Sequence, residues 1–116
     1  IPMRITLKSG QPFAFAGLWE SWTEDSGREL RSFTILTTAA NAVVRRVHAR
    51  MPVILPRKSE ELWLDPKTDA ELLGELLAPY DAKDMEGYPV GAEVGSPKND
   101  SPGLVAPARD PQPELL

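Results

Sequence analysis

The stretch ILTTAANAVVRRVHARMPVIL, residues 35 to 55, decides how this chain is read. Two apolar, β-branched runs, Phe33-Thr34-Ile35-Leu36 and Pro52-Val53-Ile54-Leu55, frame it and read as short buried strands. Between them Asn41 is a fair N-cap for a two-turn helix over Ala42 to Val47. Val43, Val44 and Val47 would turn inward, with Arg45 and Arg46 outward. A helix that short exists only where packing holds it. His48, the single histidine of the chain, and Arg50 follow at its C-terminal end, where Pro52 forbids continuation. Charge and a titratable ring thus stand between buried strands, where scaffolds present their working groups.

Outward from that centre, Met3 to Lys8 alternates apolar and polar and reads as a half-buried strand. Ser9-Gly10-Gln11-Pro12 supplies a turn, and Phe13 to Trp19 resumes as a second strand, which suggests a hairpin of the two. Both faces of the second strand are apolar, which predicts an interior position, and Gly17 would admit a close backbone or ligand. Glu20 to Arg28 reads as an exposed connection turning at Asp25-Ser26-Gly27, with Trp22 as a lid on the core. Ser32 to Thr37 is the third strand. Downstream, Pro56 to Ser59 opens a helix carrying Leu62 and Trp63, which Asp65-Pro66 breaks. Thr68-Asp69-Ala70-Glu71 reads as a capping box before a second helix with Leu72, Leu73, Leu76 and Leu77 toward the core. Tyr88 to Val94 suits one more strand, and Pro107 to Leu116 a poorly ordered tail. The fold class expected is α+β, mostly β, with short helices.

With 116 residues there is room for one modest core. No cysteine is present, so disulfides, thiolate metal sites and a cysteine nucleophile are excluded within these residues. One histidine and no clustered ligands argue against zinc, and Asp81, Asp84 and Glu86 lack a calcium loop's spacing, so no metal or cofactor is expected. No apolar run reaches the roughly 20 residues that span a bilayer. The first residue is Ile1, which suggests a processed chain or a fragment. Net charge is −4, yet Leu30 to Ser59 carries no acid and holds Arg31, Arg45, Arg46, Arg50, Arg57 and Lys58. A basic sector on an acidic body attracts phosphates locally, although a solvated face has the same composition. His48 fits a general acid or base because histidine titrates near neutrality. It equally fits a helix-end cap, and the residues alone leave both open.

Three blocks carry a resemblance. Phe13-Ala14-Phe15-Ala16-Gly17-Leu18-Trp19-Glu20, then Thr34-Ile35-Leu36-Thr37-Thr38-Ala39-Ala40-Asn41, then Val47-His48-Ala49-Arg50-Met51-Pro52-Val53-Ile54-Leu55 resemble the SOS-response-associated peptidase (SRAP) family, in order and at fitting separations. Tyr88-Pro89-Val90 and Val94 to Asp100 look like its closing block. The resemblance implies abasic-site processing on single-stranded DNA, by covalent crosslinking with an associated self-peptidase activity. In the family an N-terminal cysteine closes the open-chain sugar aldehyde into a thiazolidine. The histidine of the third block, His48 here, would act as acid/base. Thr37, Arg45, Arg46, Arg50, Lys98 and Asn99 would contact DNA. The setting implied is cytoplasmic, bacterial and nucleoid-associated, with no membrane partner.

Several family features are missing. The cysteine and the family's N-terminal half have no counterpart in this sequence, Ala49 replaces the usual Asp, and Gly95 stands where Asn is usual. Residues 1–106 therefore read as the C-terminal portion of one SRAP domain, shaped as part of its barrel-like sheet and inactive by itself. The rival readings are a non-catalytic single-stranded-DNA-binding remnant and a structural fragment completed by another chain. Half a domain should leave apolar sheet surface uncovered, so self-association or docking of the missing half is expected.

Overall fold

A computed structural model describes residues 1 to 108. The chain is mostly strand: β1 (Met3–Leu7), β2 (Ala14–Phe15), β3 (Gly17–Thr23), β4 (Glu29–Ile35), β5 (Thr37–Ala39), β6 (Arg50–Pro52), β7 (Ile54–Leu55) and β8 (Met85–Pro89). Two short helices, α1 (Glu60–Leu64) and α2 (Ala70–Glu75), separate β7 from β8. The strands form four antiparallel ribbons, β1 with β8, β2 with β7, β3 with β4 and β5 with β6. The expected α+β class, mostly β with short helices, is what is found.

Three of these ribbons meet at one point. The amide of Ala16 donates to the carbonyl of Val53 at 2.8 Å, Val53 to Leu36 at 2.9 Å, and Leu36 to Ala16 at 3.0 Å, closing a ring of backbone hydrogen bonds. Each of these residues is where an apolar run switches partner: β2 to β3 at Ala16, β4 to β5 at Leu36, β6 to β7 at Val53. Ala16 and Val53 are wholly buried there. Leu36, Trp63 and Leu76 pack against Ala16, Val53 and Leu55. The Trp63 indole donates to the Gly17 carbonyl at 3.1 Å, which fastens α1 to the junction. A second cluster of Ala40, Val44, Met51, Ile54 and Met85 lies alongside, flanked by Ile5, Leu7, Phe13, Val43 and Tyr80.

Several expectations are revised. β1 pairs with β8, Met3 opposite Pro89 through Leu7 opposite Met85, rather than with the second run. A hairpin of neighbours is the economical reading of two alternating runs, but nothing local forbids a longer closure. The run from Phe13 to Trp19 is divided at the junction, and its later part leaves the core: Trp19 is 71% exposed and Trp22 is 59% exposed, so Trp22 is no lid. The helix over Ala42 to Val47 shrinks to a single 3₁₀ turn, Val44–Arg46, with Val44 buried and Val47 exposed. α2 is capped by Asp69, whose carboxylate accepts from the Leu72 amide at 2.8 Å. Thr68 instead donates its hydroxyl to the Leu62 carbonyl, closing the loop behind α1. The last strand begins at Met85 and ends at Pro89, and Ala92–Gly95 is another 3₁₀ turn. Pro107 bridges Val90, and the Ala108 amide reaches the Pro89 carbonyl. The rest of the expected tail, 109 to 116, lies outside the described residues.

Candidate functional site

β5 and β6 form the platform for the histidine. Thr37 faces Pro52, Thr38 faces Met51 and Ala39 faces Arg50, and the Ala40 amide extends the ladder to the Ala49 carbonyl. Alternation along β6 sends Met51 into the core, where it is 1% exposed, and leaves Arg50 outside. One strand thus anchors itself and presents a cation.

The loop from β5 to β6 folds back through Asn41. Its side-chain carbonyl accepts from the amides of Val43 at 3.1 Å and Val44 at 3.0 Å, the N-cap role expected. Its side-chain amide donates to the Tyr80 carbonyl at 2.7 Å, and its backbone amide points at the Met51 sulfur at 3.3 Å. Asn41 therefore ties the turn that precedes His48 both to the core strand and to the segment after α2. The sequence marked it as a cap only. Its longer-range role carries no local signal, because Tyr80 lies 39 positions away. Asn41→Ala is expected to destabilise the chain by about 1–3 kcal/mol, from the lost cap and an unpaired Tyr80 carbonyl. Asn41→Asp should keep the cap and lose the side-chain amide's bonds to the Tyr80 carbonyl and the Met85 sulfur, and urea unfolding of both variants separates the cap from those bonds.

The imidazole of His48 is exposed, and its Nδ1 accepts the backbone N–H of Arg50 at 2.9 Å. With Nδ1 occupied as an acceptor, the neutral ring carries its proton on Nε2. The guanidinium of Arg50 turns the other way. One of its nitrogens donates to the Thr37 carbonyl at 2.9 Å and to the Thr37 hydroxyl at 3.0 Å. Thr37, His48 and Arg50 are thus one hydrogen-bonded unit, and the remaining guanidinium N–H groups are available to an incoming anion.

The other residues singled out in the sequence are placed differently. Arg45 donates to the Ala40 carbonyl at 3.0 Å and so braces the turn against the end of β5. Arg46 is exposed, and among the described residues its side chain makes no hydrogen bond. Asn99 donates its side-chain amide to the Glu93 carbonyl at 2.9 Å, pinning the segment after β8. Lys98 lies in that same segment with its backbone amide on the Ser96 hydroxyl. Neither is hydrogen-bonded to the Thr37–His48–Arg50 unit among the described residues. A concavity of about 280 Å³ opens between Ile54, Lys58, Leu76, Tyr80 and Asp84. Asp81 at its rim is held below the usual carboxylate range, first by the Lys83 backbone N–H. His48 does not line this hollow; it stands on open surface.

A model of the SOS response associated peptidase (SRAP) family matches residues 1–97. The abasic site processing protein YoqW of Bacillus subtilis strain 168 is 54% identical over 106 residues, which are 90% of this chain and 47% of that protein. The rat abasic site processing protein HMCES is 30% identical over 95 residues, 80% of this chain and 26% of its own. A crystal structure of a Bacteroides thetaiotaomicron protein superposes with a TM-score of 0.82 at 33% identity, covering 93% of this chain and 48% of the other. The chain spans about half the length of the Bacillus relative and of the superposed structure.

Proposed function

The chain belongs to the SOS response associated peptidase family, and on that footing we propose that it supplies the acid/base and phosphate-holding side of an abasic-site pocket for single-stranded DNA. The observation that carries this reading is the bond from the Arg50 amide to His48 Nδ1, which leaves Nε2 to face a ligand, on a residue whose guanidinium is anchored on Thr37. The turn and the start of β6 then offer a proton carrier, His48, and a phosphate contact, Arg50, two positions apart.

An abasic deoxyribose is mostly a closed hemiacetal, and its aldehyde becomes reactive only after the ring opens. The neutral ring of His48 can donate a hydrogen bond from Nε2, but full transfer from that form would leave an imidazolate. The imidazolium is the effective acid. Because His48 is exposed, water takes the place of Nδ1 as the acceptor of the Arg50 amide when Nδ1 takes up a proton. The Nε2 proton then passes to the sugar ring oxygen as the C1–O bond breaks. The C1 hydroxyl releases its proton to water, and the open-chain aldehyde is formed. A positioned acid of this kind contributes about 10²–10⁴-fold. Capture of the aldehyde as a thiazolidine needs an amine and a thiol on one carbon framework. This chain has no cysteine, so it forms no such crosslink alone, and the family's self-cleavage is not proposed of it.

Free cysteine can stand in for the missing nucleophile. An oligonucleotide with one abasic site is incubated with cysteine at concentrations where capture no longer depends on cysteine, so that ring opening sets the rate. Adding this chain should then raise the rate of thiazolidine formation, followed by mass spectrometry. An unchanged rate at saturating chain would refute the acid/base reading. Binding is tested separately. Arg50→Ala keeps the backbone amide on His48 but removes the guanidinium, so affinity for single-stranded DNA should fall and the salt slope should shrink by about 0.7. A slope that does not move would assign Arg50 to structure alone. DNA as substrate implies work beside the nucleoid, and no helix among the described residues is long and apolar enough to cross a membrane.

A further inference from the structure

His48 is held at two points. Its backbone amide donates to the Val44 carbonyl at 3.0 Å, and its Nδ1 receives the Arg50 amide. The first hold continues inward. The Val44 amide donates to the Asn41 side-chain carbonyl at 3.0 Å, and the Asn41 side-chain amide donates to the Tyr80 carbonyl at 2.7 Å. Hydrogen bonds therefore run without a break from His48 to Tyr80. The other acceptors facing the N–H groups of Asn41 are the sulfurs of Met51 and Met85, each at 3.3 Å, and a thioether accepts only weakly. Among the described residues the Tyr80 carbonyl is thus the one strong acceptor that Asn41 has, and the turn before His48 stands where that carbonyl stands.

Tyr80 lies between α2 and β8, outside any helix or strand. Pro79 before it has no N–H to give. The nearest backbone anchors come after it: the Asp81 carboxylate accepts the Lys83 amide at 3.0 Å, and the Asp84 carbonyl accepts the Lys8 amide at 2.8 Å. What fixes Tyr80 itself is its ring, half-buried against the cluster of Ala40, Val44, Met51, Ile54 and Met85. That ring also lines two hollows, of about 280 Å³ and 200 Å³, so truncating it leaves room for the backbone to drift. The phenol hydroxyl makes no hydrogen bond among the described residues, so the hold belongs to packing. We propose that Tyr80 is a positioning residue for His48. Its ring sets its own carbonyl against Asn41, and Asn41, through Val44, sets the imidazole on the Arg50 amide. For its effect on rate the proposal rests on the acid/base reading of His48; for its effect on the ring it does not.

His48 is the single histidine, so a long-range proton–nitrogen NMR spectrum of the untagged chain, taken with the ring neutral, reads its tautomer without overlap. The parent chain and Tyr80→Phe are expected to show the Nε2–H form alone. Tyr80→Ala should move the signals toward the tautomer mixture of a free histidine. So should Asn41→Ser, which keeps a capping oxygen and loses the amide. In both, the ring-opening rate at saturating chain should fall about 10- to 10²-fold, as for a displaced catalytic group. Tyr80→Phe should keep the parent rate. Affinity for single-stranded DNA should be unchanged throughout, because Arg50 stays on Thr37. Circular dichroism checks each fold, and if Tyr80→Ala does not fold, Asn41→Ser decides alone, an undisturbed ring overturning the proposal. A parent-like tautomer in folded Tyr80→Ala would overturn it too, as would a Tyr80→Phe as disturbed as Tyr80→Ala. A shifted tautomer with an unchanged rate would uphold the positioning and overturn the acid/base reading instead.

Discussion

Replacing His48 by glutamine is expected to remove the acceleration of abasic-site opening by about 10²-fold or more. The choice of glutamine separates two ways in which the ring can help. Its side-chain oxygen can still accept the Arg50 amide, and its amide nitrogen can still donate a hydrogen bond to the sugar. What it cannot do is give up a proton. If His48 only polarises the ring oxygen, His48→Gln will open the sugar nearly as fast as the parent chain, and only His48→Ala will be slow. If proton transfer is the function, both variants will be equally slow while binding single-stranded DNA with unchanged affinity. Rates at saturating chain and cysteine, set beside dissociation constants from fluorescence anisotropy, decide between them.

The local chemistry of the site was legible in part. Asn41 accepts the amides of the turn it was expected to cap, but that turn ends at Arg46, and the strand expected from Pro52 to Leu55 instead begins at Arg50 and breaks at Val53. The ribbon pattern was not legible, because it depends on the junction of Ala16, Leu36 and Val53. Each is an ordinary apolar residue inside an apolar run, and nothing nearby marks it as the point where the strand changes partner. Pairing of β1 with β8 is likewise set by residues some 80 positions apart, as in the Arg4 guanidinium bond to the Tyr88 hydroxyl. Trp22 illustrates a different limit. Burial preference presumes that something covers the residue, and on the β3–β4 ribbon no described residue does. The bonds of Asn99 to the Glu93 carbonyl and of the Lys98 amide to the Ser96 hydroxyl also escaped the sequence, since a shared affinity for phosphate says nothing about local partners.

Met51→Ala is expected to cost about 2–5 kcal/mol, a large share of what a chain with so small a core can spare. Met51 and Val53 are the largest side chains that are fully buried, and Met51 belongs to the cluster with Ala40, Val44, Ile54 and Met85. Its sulfur also receives the backbone amide of Asn41 at 3.3 Å, so the same side chain that fills the core holds the turn leading to His48. Truncation therefore leaves a cavity behind β6 and frees the turn at once. Met51→Leu preserves volume and removes the sulfur, and should cost less than about 1.5 kcal/mol. Urea unfolding gives both energies, and the ring-opening rate measured well below the denaturation midpoint shows whether the site follows. If Met51→Leu keeps the stability but loses rate, the Asn41 amide on sulfur positions His48. If both variants open the sugar as fast as the parent once folded, β6 and the Arg50 amide position the ring without it. Either outcome follows from a strand whose two faces are divided between core and site, with Met51 on one and Arg50 on the other.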